Sequence, residues 1–133
     1  MVLRTIRIAA ALIDDDRGRL LLVRKAGTRW FMQPGGKIEP GEDALAALRR
    51  ELREEIGLDP PNGAARYMGR FSAPAANEPD AMVDADIFHI RMSDTAVAGA
   101  EIEELLWLGP TRAGNVALAP LTRDCILPLA RGL

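Results

Sequence analysis

With 133 residues, 48% of them hydrophobic, the chain has room for one domain, 1–133, around one core, and too little for two. A formal charge of -2 and a pI near 5.4 supply no basic field for a nucleic-acid backbone, so a nucleic-acid polymer is not an expected partner. The single cysteine, Cys125, rules out an intrachain disulfide and reads as a small buried hydrophobe in a reducing cytoplasm, and no apolar run approaches the ~20 residues that span a bilayer.

Residues 4–13 and 19–24, "RTIRIAAALI" and "RLLLVR", are aliphatic-rich and flank "DDDRG", which suits a turn, so an opening hairpin is expected. The apolar run Ile8 to Ile13 is stopped by three aspartates and does not read as a signal peptide. In "GTRWFMQPGGKIEPGE" the glycines and prolines exclude a long regular element and predict an ordered loop or short edge pairing. Leu45, Leu48, Leu52 and Ile56 then recur at helical spacing over residues 42–56 and are expected to face the core, with Gly57 ending the helix in a left-handed conformation. Two strands, "ARYMGRFSA" and "MVDADIFHIRM", are joined by "PAANEPDA", and the second carries polar residues on both faces. A short strand is expected near Leu105 to Leu108, and a closing helix from about Pro120, shortened or kinked by Pro128. Strands on both sides of a helix predict an α/β fold, a mixed sheet with helices on its faces.

On the first helix Glu51, Glu54 and Glu55 share a flank spread over about 100°, Arg49 and Arg53 lie beyond the apolar stripe, and Arg50 lies between. Such a sorted face is either a solvated surface, since exposed like-charge pairs cost only ~0.2–0.5 kcal/mol each, or a cation site. What precedes the helix favours the cation. Gly35 and Gly36 leave backbone uncovered beside the glutamates, and clustered carboxylates with a carbonyl suit Mg²⁺, or Mn²⁺ in its place. Zinc is not expected, because His89 is the only histidine and reads as structural.

Residues 36–58 match G-x5-E-x7-R-E-U-x-E-E-x-G-U, with U a bulky aliphatic, at Gly36, Glu42, Arg50, Glu51, Leu52, Glu54, Glu55, Gly57 and Leu58. That pattern is the Nudix box, and the elements around it also resemble a minimal Nudix domain. The resemblance implies an α/β/α sandwich with the box as loop-helix-loop, and hydrolysis of a nucleoside diphosphate linked to another group. It implies Glu54 and Glu55 as principal metal ligands with the Gly35 carbonyl. Glu51 would bind metal or deprotonate the attacking water, Arg50 would position a glutamate, and Glu42 would be structural. It also implies a carboxylate outside the box, for which Glu101 is favoured, then Glu104, from the acidic run that includes Glu103 just ahead of the expected strand. Arg24 and Lys25 are candidates for substrate phosphates, with a surface role as the alternative. Trp30 and Phe71 are candidates for base stacking, with core packing as the alternative.

The substrate expectation is a nucleoside triphosphate hydrolysed to monophosphate and pyrophosphate. The purine-reading asparagine of the branch that destroys oxidised guanine triphosphates has no counterpart at Pro120-Leu121, and Asn115 lies too early. Pro74 gives a thin argument for ADP-ribose or another nucleotide sugar. A regulatory nucleotide-binding module without turnover, or an isoprenoid diphosphate isomerase using Cys125, is the rival reading. A homodimer is the family-level expectation.

Overall fold

The computed structural model describes residues 3–92, 96–109, 111 and 113–133. Its strands are β1 (Arg4–Asp14), β2 (Leu20–Lys25), β3 (Phe31–Met32), β4 (Gly35–Lys37), β5 (Arg66–Pro74), β6 (Ala81–Arg91) and β7 (Ile102–Leu108), with helix α1 (Ala44–Ile56) between β4 and β5. They form one mixed sheet in the order β3-β2-β1-β6-β5, with β4 paired to β1 and β7 to β2. β1 runs parallel to β6 along its whole length, from Arg4↔Ala81 to Asp14↔Arg91.

The expected opening hairpin exists only at its turn. β1 and β2 pair at Asp14↔Leu20, and the Asp15 carboxylate closes the turn by accepting from the Arg17 and Arg19 backbone N–H groups. Beyond that point the strands part. β1 gives the same edge to β4 at Ile8 to Ala10, while β2 pairs with β7 and β3. The glycine-rich segment therefore supplies a short strand, and that strand carries Gly35 and Gly36 into the middle of the sheet.

Alternation along β1 builds the two sides of the sandwich. Ala9, Ala11 and Ile13 pack with Leu48, Leu52 and Ile56 of α1, whereas Ala10 and Leu12 pack with Leu121, Ile126 and Leu127 of the closing helix. β6 buries apolar residues on both faces, with Ala85 and Ile87 toward the closing helix and Phe88 and Ile90 toward α1. Its polar residues are absorbed by pairing: Asp86 accepts from Arg7, Arg70 and Tyr67, and His89 bonds Asp14 at 2.7 Å. No helix among the described residues is long and apolar enough to cross a membrane.

Three expectations need correction. Leu45 is exposed, because α1 turns Ala47 and Leu48 toward the sheet in its first turns. β7 starts at Ile102, so Glu103 and Glu104 lie on the strand and only Glu101 precedes it. The closing helix is not shortened at Pro128. Residues 120 and 121 are helical, Thr122–Ile126 widens into a π turn closed by Leu127 N–H to Thr122 O, and α2 (Leu127–Arg131) follows. A widened turn before a proline accommodates its ring and its missing donor without ending the helix.

Asp86 offers a test of this packing. Burial opposes its ionisation, but Arg70, Tyr67 and Arg7 outweigh burial and hold its carboxyl below the ordinary 3.8. A depressed folded pKa contributes stability that is present above the ordinary value and is lost as pH falls below it. Asp86→Asn is therefore expected to cost roughly 2–3 kcal/mol at pH 7. In urea melts that difference should shrink below pH ~4.

Candidate active site

Asp43 caps α1 by accepting from the Ala46 N–H at 2.8 Å, and Gly57 closes it at φ 65° with its N–H on the Arg53 and Leu52 carbonyls. With the ends set and Leu48 against the sheet, helical geometry places each glutamate. Glu55 lies within about 20° of Leu48, Glu51 about 60° away and Glu54 about 120° away. Their exposures follow that order. Glu55 is 4% exposed, while the Glu51 and Glu54 side chains are 16% and 63% exposed.

Glu55 is thus not a surface residue of an acidic flank; it is a buried carboxyl pointed at the glycine turn. Its Oε1 accepts from the Gly35 N–H at 3.0 Å, and Lys25 Nζ stands 3.7 Å from its Oε2. Burial pushes its pKa up to about 7 against the help of Gly35 and Lys25, and the charges of Glu51 and Glu101 push the same way.

Glu51 lies under the second glycine. A Cβ on Gly36 would fall 2.5 Å from the Glu51 carboxyl carbon, so only glycine lets this strand close on that carboxylate. Arg50 holds it from the other side. Its Nη1 donates to Glu51 Oε1 at 2.7 Å, its Nε and Nη2 grip Glu42 at 2.8 and 3.0 Å, and Nη2 also donates to the Lys37 carbonyl. Glu42 in turn accepts from the Glu39 N–H. The Arg50 hydrogen bonds, then that backbone N–H, lower the Glu42 pKa to about 2, and Arg50 is raised well above its usual value. The loop before α1 is therefore clamped to the helix by one guanidinium fork. Arg50→Lys keeps the charge and loses the fork, so kcat is expected to fall about 10- to 100-fold. Steady-state kinetics beside a thermal melt would check this, with the midpoint staying near wild type.

Among the described residues no three acidic, histidine or cysteine groups close on one point. Arg50 holds Glu51 back and Glu54 faces solvent. The donor set nevertheless suits a hard divalent ion. It consists of carboxylate oxygens, and Glu55 is a buried carboxyl facing two further carboxylates with one lysine for compensation. Additional positive charge at this position would relieve that imbalance.

A cleft of ≈ 160 Å³ opens on the closing-helix side of the sheet, beside Gly35 and Gly36. Lys25 and Lys37 stand on its lining with Gln33 and Asn77, and Ile8 and Leu121 are among its apolar residues. Of the expected substrate-binding residues only Lys25 lines it. Arg24 is taken up by Glu104 at 2.5 Å and Glu103 at 3.3 Å, with its guanidinium over the Phe31 ring. Trp30 lies beneath Arg29 and lines a separate groove with Val116 and Leu127, and Phe71 packs into the core on the closing-helix side. Glu101 acts on Glu55 through its charge, whereas Glu104 is tied to Arg24. Sequence reasoning missed Gln33, Lys37 and Asn77. The available signal was Gln33 itself, a polar residue directly before the Pro-Gly-Gly turn.

The NUDIX domain model matches residues 4–129, and the chain belongs to the Nudix family. It is 30% identical to the CTP pyrophosphohydrolase of Escherichia coli (strain K12) over 124 residues, 89% of this chain and 86% of that protein. It is 42% identical to the RNA pyrophosphohydrolase of Halorhodospira halophila (strain DSM 244 / SL1) over 67 residues, 47% of this chain and only 37% of that protein's length. The MutT protein from Methanosarcina mazei Go1 has the same fold, with a TM-score of 0.79 at 21% identity over 99% of this chain and 96% of that one.

Proposed function

We propose that the chain is a divalent-metal-dependent pyrophosphohydrolase cleaving the diphosphate linkage of a nucleoside diphosphate joined to a second group. Nucleoside triphosphates are the favoured substrates, giving a monophosphate and pyrophosphate. The observation that carries this reading is the junction at Gly35–Gly36, where a cleft bearing Lys25 and Lys37 abuts the carboxylates of α1. The activity named for the E. coli relative, which aligns along most of this chain, supports a small nucleotide as substrate.

In this reading Glu54 and Glu55 would hold Mg²⁺ or Mn²⁺, with the Gly35 carbonyl and Glu101 completing the set and Glu51, of its two expected roles, serving the water. The ion, when bound, supplies positive charge to the diphosphate oxygens and acidifies a coordinated water. Lys25 and Lys37 bind the outer phosphates from the cleft wall. Glu51 Oε1 is fixed by Arg50, which leaves Oε2 to take the proton of the attacking water. The apolar cleft lining takes the nucleoside and keeps water from its far side.

The test is a product screen with Mg²⁺ over dNTPs, NTPs, ADP-ribose, dinucleoside polyphosphates and sugar nucleotides. Pyrophosphate and a nucleoside monophosphate from a triphosphate are the expected products. Nucleotide binding with no phosphate product from any of them would make the chain a binding module instead.

A further inference from the structure

Gln33 and Thr122 form a polar pair on the closing-helix face of the sheet, among apolar neighbours. Thr122 is fully buried and Gln33 is 6% exposed, and the Thr122 hydroxyl donates to Gln33 Oε1 at 2.5 Å. With its oxygen on the Thr122 hydroxyl, the carboxamide has its nitrogen left over. No fully buried side-chain nitrogen or oxygen among the described residues lacks a partner. The Gln33 amide nitrogen has no partner among them, so it reaches solvent, and the opening beside it is the ≈ 160 Å³ cleft that Gln33 lines. A buried amide whose oxygen is occupied and whose two N–H donors face a cleft recognises an acceptor.

We infer that Gln33, oriented by Thr122, is a specificity-determining residue that donates to the base of the bound nucleotide and selects bases with a keto edge over those with an amino edge. The inference rests on the nucleotide reading of the cleft and extends it to substrate class. Guanine, uracil and thymine present a carbonyl oxygen where adenine and cytosine present an NH₂. An amino group aimed at the Gln33 donors leaves two donors facing each other in a largely desolvated place, which is the costly arrangement. Gln33 touches the base; Thr122 is a positioning residue that acts through Gln33. The apolar lining supplied by Ile6, Ile8, Val83 and Leu121 tolerates any base and carries none of the discrimination.

Binding is the readout that separates this inference from the hydrolase reading. Calorimetry with non-hydrolysable α,β-methylene triphosphates of the four ribonucleosides and Mg²⁺ is expected to give tighter binding of guanosine and uridine than of adenosine and cytidine analogues, by roughly 10-fold or more. Gln33→Leu should bring the four within about threefold of one another. Thr122→Val, which frees the carboxamide to turn, should reduce the preference without removing it. Where Gln33→Leu leaves the Thr122 hydroxyl buried and unpaired and the protein melts early, the double variant Gln33→Leu/Thr122→Val removes both partners and keeps the measurement open. Equal binding of all four by the wild type, preference for the amino bases, an unchanged preference in Gln33→Leu, or no nucleotide binding at all would each overturn the inference. Clear keto preference in binding with no turnover would uphold it while removing the hydrolase reading.

Discussion

Glu55→Gln is expected to lower turnover by roughly two to four orders of magnitude and, in the same protein, to raise the stability of the metal-free fold at pH 8. The two effects have one cause. Glu55 is buried against Gly35 with Lys25 nearby, and burial lifts its pKa from 4.5 to about 7. A carboxyl whose folded pKa is raised adds most to stability at low pH, where it is protonated in both states. That contribution is lost as pH rises from the unfolded value of 4.5 through the folded value of about 7. At pH 8 the wild type carries a penalty on the order of 3 kcal/mol that glutamine, nearly isosteric and still able to accept from the Gly35 N–H, does not. In chelator the variant should melt roughly 10 °C higher than wild type at pH 8 and within a few degrees of it at pH 4. Lower stability at pH 8 would mean that Glu55 is held by cations strong enough to keep it ionised. Unchanged turnover would take it out of the site.

Alanine at the two adjacent glycines should fail in opposite ways. A Cβ on Gly35, which sits at φ 151°, would lie 2.3 Å from the Ala9 carbonyl oxygen and 2.6 Å from the Ala10 Cα, both backbone of the central strand. Nothing there can yield cheaply, so Gly35→Ala is expected to cost roughly 2–6 kcal/mol and to express poorly. The Cβ of Gly36→Ala meets only the end of the Glu51 side chain, at 2.5 Å. A carboxylate can swing away without moving backbone, so the fold should survive with a midpoint within a few degrees of wild type. kcat should nevertheless fall about 100-fold or more, because the displaced group is the one Arg50 aims. Equal loss of stability in both variants would show that Glu51 is as rigid as the sheet.

The Nudix box, the first helix with its Gly57 stop and the β5–β6 hairpin were legible in the sequence because each rests on local chemistry: a fixed spacing, an apolar stripe ending at a Gly, a turn between two strands. The Asp43 cap was not singled out. Fates of the charged residues depend on distant partners and were not legible. Glu55 falls on the Leu48 side of α1 by helical geometry alone, yet only Gly35 and β1 turn that side into a buried site. Arg24 stood open between a phosphate contact and a surface role, and only β7, bringing Glu103 and Glu104 against it, decides its pairing. β1 parallel to β6 joins residues about 77 apart in sequence, a pairing that no local pattern specifies. The cleft depends on the same long-range assembly, since Gln33, Asn77 and Leu121 come from three separate loops and helix starts.

The central claim is that the α1 carboxylates and the glycine turn hold a divalent ion against a diphosphate. The most direct measurement is anomalous diffraction from crystals soaked in Mn²⁺ and a non-hydrolysable nucleoside triphosphate. The account predicts an anomalous peak at about 2.0–2.3 Å from oxygens of Glu54 and Glu55, with phosphate oxygens on its other side. A nucleotide bound in the cleft with no peak beside α1, and with Glu54 and Glu55 placed as in the metal-free protein, would contradict it.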